Sequence, residues 1–309
     1  MQDRKFLAID LGGTKLAIAV FTEGGEIIHR EQIALHEEGN RAVGSQICEI
    51  VKRFRNEVIS AGIGVPGIVR GDGTVWAPNI RGWDEYALLA ETREAAGTVP
   101  VAIDSDRACY ILGEQWMGNA QDCDDAIYIA VGTGIGAGII SGGQVLRGAH
   151  DIAGAVGWMA LDRPYLNKYN ACGCFETQAS GDGIAKVAKE LLRSDPEYCG
   201  QLRSLDKLTA HEVFAALTER DKVAERTIAQ CVELWGMAAA NLVSIFNPEK
   251  VIFGGGVFGP AIPLLPAIRE EAAKWAQPIA MRHVSFEPSA LGSDAGLYGA
   301  GLLAKRNVG

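Results

Sequence analysis

The 309-residue sequence has no run of about 18 uncharged apolar residues, the length that a membrane-spanning helix needs. It also has no excess of positive charge, since 29 Lys and Arg stand against 38 Asp and Glu. The resulting net charge of −9 argues against a protein that coats DNA or an acidic membrane. The first apolar segment, Phe6 to Asp10, is too short for a signal peptide. We therefore expect a cytoplasmic protein without nucleic-acid or membrane partners.

Proline is also scarce, and the cysteines form no regular framework. The seven cysteines are odd in number and follow no regular spacing, which favours reduced thiols over a disulfide framework. Only 11 prolines stand against 38 glycines, and the glycines follow no collagen-like period. With 48% hydrophobic residues the chain is not of a disordered class. At about 150 residues per domain, its length predicts two domains or one unusually large one.

The first part of the chain predicts an antiparallel meander followed by a helix. Three short apolar runs, Phe6–Asp10, Leu16–Val20 and Glu26–Ile33, are separated by glycine-containing turns. From Asn40 the apolar residues recur every three or four positions, as they do on a helix packed against a sheet. A buried strand, Ala61–Val65, follows this helix.

A similar order of elements begins again near residue 126. Ala126–Val131 is an apolar run, and a glycine-rich turn leads to a second run, Ala137–Ile140. A helical region follows at Gly181–Phe246, then a strand at Lys250–Phe253 and a terminal helix at Asp294–Lys305 whose first residue is a plausible N-cap. This approximate repeat predicts two related halves that face each other.

Three glycine-rich loops follow apolar runs: Asp10–Lys15, Gly132–Gly136 and Gly254–Gly259. Glycine lets backbone amides turn toward an anion and lets the anion approach without a Cβ in the way. A threonine in each of the first two loops can donate to phosphate oxygens. A hairpin turn is the alternative role for each loop taken singly, but the three together favour a phosphate site.

Two better-known phosphate motifs do not fit these loops. Gly254–Gly259 satisfies G-x-G-x-x-G, but no acidic residue closes a second strand about 20 residues later, as a dinucleotide site of the Rossmann type requires. The first loop lacks the spacing of a Walker A sequence. A nucleotide is therefore expected in a different glycine cradle.

Several motifs resemble the ROK family of sugar kinases and repressors, within the actin/hexokinase-like ATPase superfamily. They lie in the family's order through nearly the whole chain: Leu7–Lys15, Gly64–Gly67, Ala77–Asn79 with Gly82 and Trp83, Gly113 with Glu114, Gly132–Gly138, Gly173–Glu176, Ala179–Gly181, Gly254–Val257 and Ala295–Ala300. The resemblance implies an α/β fold of two actin/hexokinase-like, or ribonuclease H-like, domains around a central cleft.

The resemblance also implies a division of the chain. Residues 1–118 would form an N-terminal α/β domain with the sugar side and the first phosphate loop. Residues 119–293 would form a C-terminal α/β domain on the nucleotide side, and residues 294–309 a helix that returns to the N-terminal domain. A homodimer is a further expectation from the family.

ATP with Mg²⁺ is the cofactor that the resemblance implies. Asp10 would be the Mg²⁺ ligand, through water if not directly. The residues expected around the nucleotide are Asp10, Gly12, Gly13, Thr14, Lys15, Thr133, Gly134, Gly254, Gly255 and Gly256.

Phosphoryl transfer needs a base beside the acceptor hydroxyl. A strand-like run, Val99–Ile103, leads into a predicted helix at Ser105–Trp116, and the family's Asn-Asp pair falls there on Ser105 and Asp106. Asp106 is therefore the predicted catalytic base. Capping of the helix is the alternative role for Asp106, and Asp104 is the competing carboxylate because side chains two apart on a strand point to the same side.

The predicted acceptor pocket departs from the family pattern. The resemblance implies substrate contacts at Gly67, Asn79, Ser105, Asp106, Trp158 and Glu176. The family's Gly-Glu-x-Gly-His segment is here Gly154–Trp158, with Ala155 in place of Glu and Trp158 in place of His. A buried hydroxyl left unpaired costs on the order of 1–3 kcal/mol, so we expect a modified hexose or a cyclitol rather than plain glucose. A packing role for Trp158 is the alternative.

The family's zinc site, built from one His and three Cys, is incomplete in this sequence. Only Cys172 and Cys174 remain, and a closed tetrahedral site needs four ligands. We therefore expect no structural zinc.

The predicted function is ATP-dependent phosphorylation of a sugar or sugar-like polyol, by a phosphotransferase of carbohydrate metabolism. A ligand-binding sensor of the same family with little or no turnover is the alternative. A DNA-binding repressor is a third class, against which stand the net charge and the five residues that precede Phe6.

Overall fold

A computed structural model describes residues 4–36 and 41–308. The chain divides into two compact units. Unit 1 comprises Met1–Cys123, Gly138–Gly154 and Ser289–Gly309, and unit 2 comprises Asp124–Ala137 and Ala155–Pro288.

Strands and helices alternate through most of the chain. The strands are β1 (Lys5–Leu11), β2 (Lys15–Thr22), β3 (Ile27–Ala34), β4 (Ser60–Val65), β5 (Ile68–Val69), β6 (Val75–Trp76), β7 (Val101–Ser105), β8 (Ala126–Val131), β9 (Ile135–Ser141), β10 (Gln144–Val145), β11 (Lys250–Gly254) and β12 (Ser285–Pro288). The helices are α1 (Arg41–Phe54), α2 (Leu88–Ala96), α3 (Asp106–Met117), α4 (Cys174–Ala179), α5 (Gly181–Ser194), α6 (Ala210–Thr218), α7 (Lys222–Phe246), α8 (Leu265–Trp275), α9 (Pro278–His283) and α10 (Ala295–Arg306).

Unit 1 is built on a five-stranded sheet in the order β3-β2-β1-β4-β7. The first three strands form an antiparallel meander, as the three apolar runs predict. The strands β4 and β7 run parallel to β1 and to each other. This mixed sheet places the carboxyl ends of β1, β4 and β7 at one edge.

The alternation of side chains along β1 gives the sheet of unit 1 two different faces. Leu7, Ile9 and Leu11 point into a core shared with α1 and α2, whereas Ala8 packs in a separate cluster with residues of α10. Successive residues of a strand point to opposite faces, so Asp10 lies on the α10 face.

Glycines allow α10 to approach this face closely. A Cβ on Gly299 of α10 would lie 1.8 Å from the carbonyl oxygen of Cys109 on α3. A Cβ on Gly62 of β4 would lie 2.0 Å from the carbonyl oxygen of Ala300. Glycine in a helix interior costs about 1 kcal/mol relative to alanine, and the close packing explains why α10 carries it.

Unit 2 contains the parallel strands β8, β11 and β12 of a second sheet, whose order is β10-β9-β8-β11-β12. The division between the units falls within β9, after Ala137. The central helix of unit 2, α7, is long and apolar enough to span a membrane by length and composition, but 56% of its apolar window is buried. That burial is what a core helix of a folded domain shows.

The structure differs from the expectations at two places, and one predicted boundary lies outside the described residues. The predicted helix start, Asn40, lies outside the described residues, and α1 is described from Arg41. Residues 138–154 group with unit 1 and not with a 119–293 domain, because Gly138 packs against α3 and Arg147 pairs with Asp104. Asp294 precedes α10 but does not cap it through its side chain. Its carboxylate accepts instead from the guanidinium of Arg30 on β3, at 2.9 and 2.6 Å.

Candidate active site

Two carboxylates lie at the carboxyl ends of the parallel strands of unit 1. Asp10 on β1 is in register with Gly64 on β4, which is in register with Asp104 on β7. Residues in register on a parallel sheet point to the same face. Gly64 itself places no side chain between the two carboxylates, and a Cβ there would lie 3.1 Å from the Sγ atom of Cys109 and 3.3 Å from Oδ1 of Asp10. Ligands of open α/β sheets bind at this edge, beyond the carboxyl ends of the strands.

Asp10 is partly buried, and its carboxylate has no hydrogen-bond or ion-pair partner among residues 4–36 and 41–308. It faces the start of α10, where a Cβ on Gly296 would lie 2.6 Å from its Oδ2 atom. Burial, followed by the charges of Asp106 and Asp294, raises the pKa of Asp10 to about 7. No group of three or more potential metal-ligating side chains occurs in the described ranges. A single unpaired carboxylate nevertheless suits Mg²⁺, which keeps several waters and takes one or two carboxylates together with substrate phosphates.

The turn between β1 and β2 exposes most of its backbone. The amide of Gly12 donates to the carbonyl of Lys15 at 3.0 Å, and Gly13 and Thr14 are exposed. The ammonium of Lys15 donates to Gln32 on β3 at 3.0 Å, so in this structure its charge is engaged away from the turn.

The strand β7 ends directly at the predicted base. Ser105 is the N-cap of α3, and its hydroxyl accepts from the amide of Ala108 at 3.3 Å. Asp106 is the first residue of the helix, and its Oδ1 atom accepts from the amide of Arg107 at 2.8 Å. Its Oδ2 atom has no partner in the described part of the chain. Ser105 therefore takes the capping role, and Asp106 keeps a free oxygen.

Burial raises the pKa of Asp106 to about 6, although the charge and the amide of Arg107 act in the opposite direction. A carboxylate with a pKa near neutrality is a suitable general base, because it is mostly ionised at pH 7 and still binds a proton appreciably.

Gly67 lies close to the junction between β7 and α3, which we call the β7–α3 corner. Gly67 has a φ of +98°, and a Cβ there would lie 2.1 Å from the carbonyl oxygen of Trp76, so only glycine fits. The carbonyl of Gly67 accepts from the guanidinium of Arg107 at 3.2 Å. Asn79 lies in the exposed turn after β6.

The two glycine loops of unit 2 meet at the start of α5. The turn after β8 is closed by a bond from the amide of Gly132 to the carbonyl of Gly134, at 2.9 Å. The carbonyl of Gly132 accepts from the amide of Gly181, the first residue of α5, at 2.7 Å. Gly255, with a φ of +87°, packs so closely on β8 that a Cβ would lie 2.5 Å from the carbonyl of Val131.

This arrangement leaves open space beside backbone amides. A Cβ on Gly132 or on Gly256 would meet nothing within 4 Å, and Thr133 is exposed, whereas Gly254 is buried at the end of β11. A helix N-terminus with adjacent glycine amides is a favourable site for phosphate. The convergence with α5 is a feature that the loop motifs alone did not predict.

Glu176 on α4 lies against the same turn of unit 2. Its Oε2 atom accepts from the amide of Ile135 at 2.6 Å. Gly134 and Gly157 both make room for it, since a Cβ on Gly134 would lie 2.8 Å from Oε2 and one on Gly157 would lie 2.9 Å from the Cβ of Glu176. Glu176 thus connects the 132–134 turn with the segment that carries Trp158.

Trp158 ends a short 3-10 turn, Val156–Trp158, and 58% of it is exposed. Gly173 packs on its backbone, because a Cβ there would lie 2.4 Å from the Cα atom of Trp158. The two remaining cysteines of the zinc motif contact neighbouring side chains: Cys172 Sγ lies 3.3 Å from Thr177 Oγ1, and Cys174 Sγ accepts from Gln178 at 3.5 Å.

Arg147 is a site residue that no sequence pattern indicated. Its guanidinium binds both carboxylate oxygens of Asp104, at 2.6 Å each. Asp104 is only 2% exposed. The competing carboxylate is therefore fully occupied, in contrast to Asp106. The 43-residue separation of the two partners explains why sequence spacing did not reveal the pair.

The family model described as "ROK family" matches residues 6–307. The chain belongs to the ROK family. It is 33% identical to a glucokinase of Halalkalibacterium halodurans over 99% of this chain and 96% of that one. It is similar in structure to a ROK family glucokinase from Streptomyces griseus in complex with glucose and AMPPNP, with 29% identity, a TM-score of 0.79 and coverage of 98% and 99%.

The ROK relatives also include regulators. A ROK family transcriptional regulator, described as a homologue of the E. coli MLC protein, matches with a TM-score of 0.86 and 27% identity. That match covers 99% of this chain and 79% of the regulator. The actin/hexokinase-like α/β fold expected from the sequence is confirmed.

Proposed function

We propose that this chain transfers the γ-phosphoryl group of ATP to a hydroxyl of a sugar or sugar-like polyol, with Asp106 as the general base. The observation that carries the proposal is the free Oδ2 atom of Asp106 at the β7–α3 corner, in a carboxyl whose pKa is about 6. The glucokinase relatives support the reaction class. A location in the cytoplasm and a homodimeric state belong to the same proposal.

The residues present fit ATP and Mg²⁺. Asp10 supplies an unpaired carboxylate for the metal, and Gly12, Gly13, Thr14 and Lys15 follow it in the chain. The turn with Thr133 and Gly134, the loop Gly254–Gly256 and the start of α5 offer amides and open space to the phosphates. When bound, Mg²⁺ neutralises charge on the phosphate oxygens.

In the proposed reaction, Asp106 accepts the proton of the acceptor hydroxyl while the hydroxyl oxygen attacks the γ-phosphorus. The bond between the γ-phosphorus and the bridging oxygen breaks, and ADP leaves. Asp104 cannot compete for the proton, because Arg147 and the amide of Ser105 occupy its oxygens.

For the acceptor, we propose a modified hexose or a cyclitol. Ala155 cannot bind a hydroxyl, and Trp158 offers an exposed apolar face with a single N–H donor. One oxygen of Glu176 already accepts from Ile135, which leaves Oε1 for a substrate hydroxyl. Ser105, whose hydroxyl accepts from its own helix, has less capacity for a sugar than the Asn of the family pattern. These features favour an acceptor with apolar surface and fewer hydroxyls to satisfy.

The test is a coupled assay for ADP release with ATP and a panel of glucose, N-acylhexosamines, deoxyhexoses and cyclitols. The expected result is turnover of a modified sugar or cyclitol above that of glucose, and loss of about 10²–10⁴-fold in kcat for Asp106→Asn. Equal rates for the wild type and Asp106→Asn would leave no role for that base. Efficient turnover of glucose at micromolar KM would contradict the acceptor class while leaving the kinase intact.

A matched variant tests the two altered pocket positions directly. Ala155→Glu combined with Trp158→His restores the family pattern and should raise kcat/KM for glucose relative to the preferred acceptor of the wild type. If the ratio is unchanged, these two positions do not determine acceptor specificity.

A sensor without turnover is the second candidate, favoured by the same three departures at Ser105, Ala155 and Trp158. Calorimetric binding of an acceptor, combined with an absence of ADP release for every acceptor that binds, would select the sensor over the kinase.

A further inference from the structure

The carboxyl end of β7 carries two acidic residues, two positions apart, that differ completely in their partners. Asp104 is buried, and Arg147 binds its Oδ1 and Oδ2 atoms through Nη1 and Nη2, at 2.6 Å each. The amide of Ser105 also donates to Oδ1, at 2.8 Å. Asp106 receives only the amide of Arg107.

Arg147 reaches Asp104 from a segment that is itself ordered by backbone bonds. The amide of Leu146 donates to the carbonyl of Ile139 at 2.8 Å, and the amide of Ala153 donates to the carbonyl of Arg147 at 3.0 Å. About half of the Arg147 side chain is exposed, so the desolvated partner of the pair is Asp104. A planar guanidinium that matches both oxygens of a carboxylate is the strongest form of such a pair.

We propose that Arg147 is a positioning residue for phosphoryl transfer, which acts by neutralising and holding Asp104 so that Asp106 is the one free base at the β7–α3 corner. The inference rests on the proposed function and adds a residue that the motifs do not contain. Without Arg147, a buried carboxylate would stand beside the base, and a neighbouring like charge opposes ionisation. The two carboxyls would then titrate as a coupled pair rather than separately.

The charged and titratable groups around Asp106 come from four places. They are Asp10 on β1, Asp104 on β7, Arg107 and Cys109 on α3, and the segment after β10, which carries Arg147 and the carboxylate of Asp151 that acts on it. Arg147 and Arg107 are the cations in this group. Arg107 stays in place in every variant, and the Asp104→Asn double variant separates the contribution of Asp104 from those of Asp151 and Cys109, which the charge of Arg147 also reaches.

The test compares kcat/KM against pH for the wild type, Arg147→Ala, Arg147→Lys and the double variant Arg147→Ala with Asp104→Asn. The low-pH side of this profile, where activity falls as the base is protonated, is its acid limb. In Arg147→Ala, the acid limb should move up by about one pH unit, and kcat at pH 7 should fall about tenfold or more. The double variant should return the limb to its wild-type position, because the buried charge is gone. Arg147→Lys keeps a positive charge but cannot bind both carboxylate oxygens as a planar guanidinium does, so it should move the acid limb less.

The control variant Arg226→Ala removes an exposed arginine of α7 and should leave the limb in place. An Arg147→Ala enzyme with an unmoved limb would overturn the proposal, as would a shift that Asp104→Asn does not reverse. A loss of activity that merely follows loss of folded protein would not move the limb, and would also overturn it.

A second measurement does not depend on turnover. Unfolding by urea at pH 5 and pH 8 should show a larger loss of stability for Arg147→Ala at pH 8. The reason is that an unpaired buried carboxylate has a folded-state pKa above its unfolded value, so its ionisation destabilises the fold as pH rises. The double variant should lack this pH dependence. Absence of wild-type turnover with every acceptor would refute the proposed function, while the unfolding data would still report on the pair.

Discussion

Removal of the Glu114 carboxylate should destabilise the fold more than removal of any exposed carboxylate. Glu114 on α3 is fully buried. Its Oε1 atom accepts from the hydroxyl of Ser289 at 2.5 Å and from the amide of Leu291 at 3.3 Å. Its Oε2 atom accepts from the amide of Asn119 at 2.7 Å and from the amide of Ala290 at 3.4 Å. The carboxylate therefore links α3 to two segments of unit 1. One is the turn at Asn119 directly after α3, and the other is the segment 289–291 before α10.

The magnitude follows from the donors that would be left without a partner. Each buried donor left unsatisfied costs about 1–3 kcal/mol. The two short bonds, from Ser289 and Asn119, carry most of the effect. We therefore expect Glu114→Ala to lower the free energy of unfolding by about 3–5 kcal/mol, a large part of the 5–15 kcal/mol that is typical of a folded protein.

The assay is equilibrium unfolding in urea, followed by tryptophan fluorescence and circular dichroism. Glu114→Gln keeps one acceptor oxygen and should cost less than Glu114→Ala, which also provides a measurable variant if the alanine protein does not fold. Glu94→Ala, at an exposed position of α2, is the matched control and should change stability by about 0.5 kcal/mol or less. A Glu114→Ala protein within about 1 kcal/mol of that control would refute the reasoning.

Three further predictions concern pH and glycine. The rate of phosphoryl transfer should fall as pH drops below about 6, where Asp106 becomes protonated, and a kcat/KM profile would show it; a flat profile down to pH 5 would contradict the assignment. Because the folded-state pKa of Asp10 is raised to about 7, its ionisation opposes folding above pH 4, so Asp10→Asn should stabilise the ligand-free protein by about 2–3 kcal/mol more at pH 8 than at pH 5, as measured by urea unfolding; an equal effect at both pH values would contradict this. Gly256→Ala should retain stability but weaken ATP binding about tenfold or more by calorimetry, whereas Gly299→Ala should lower stability by about 2 kcal/mol or more; the reverse pattern would contradict the structural roles given to these two glycines.

The hydrophobic patterns predicted most of the elements because these lie in locally consistent sequence. The apolar runs of β1 and β2 and the three-or-four spacing of α1 each specify one element without help from distant residues. The two-residue strands β5 and β6 and the helix α2 have weaker hydrophobic patterns, and the sequence motifs do not predict them. The strand β12 is also short, and it is defined by its pairing with β11.

The sequence indicated candidate residues that lie in continuous motifs, and it did not indicate partners that only the fold brings together. Asp106 could be placed from the resemblance to the ROK family, whose Asn-Asp pair falls on Ser105 and Asp106. The partner of Asp104 could not, since Arg147 belongs to a segment 43 residues later. The role of Asp294 is a similar case, because its carboxylate binds Arg30 across 264 residues instead of its own helix.

The glycines fall into two groups by their surroundings, and this division explains how a glycine-rich, acidic chain could bind phosphate. At Gly62, Gly113 and Gly299, a Cβ would lie within about 2 Å of a backbone oxygen, so packing alone requires glycine there. At Gly13, Gly132 and Gly256, a Cβ would meet nothing within 4 Å, so packing sets no such requirement. Absence of a side chain at open positions beside backbone amides is useful to a ligand that must approach the backbone closely. An anion held in this way needs no basic surface, which explains how a chain with a net charge of −9 can be proposed to bind ATP.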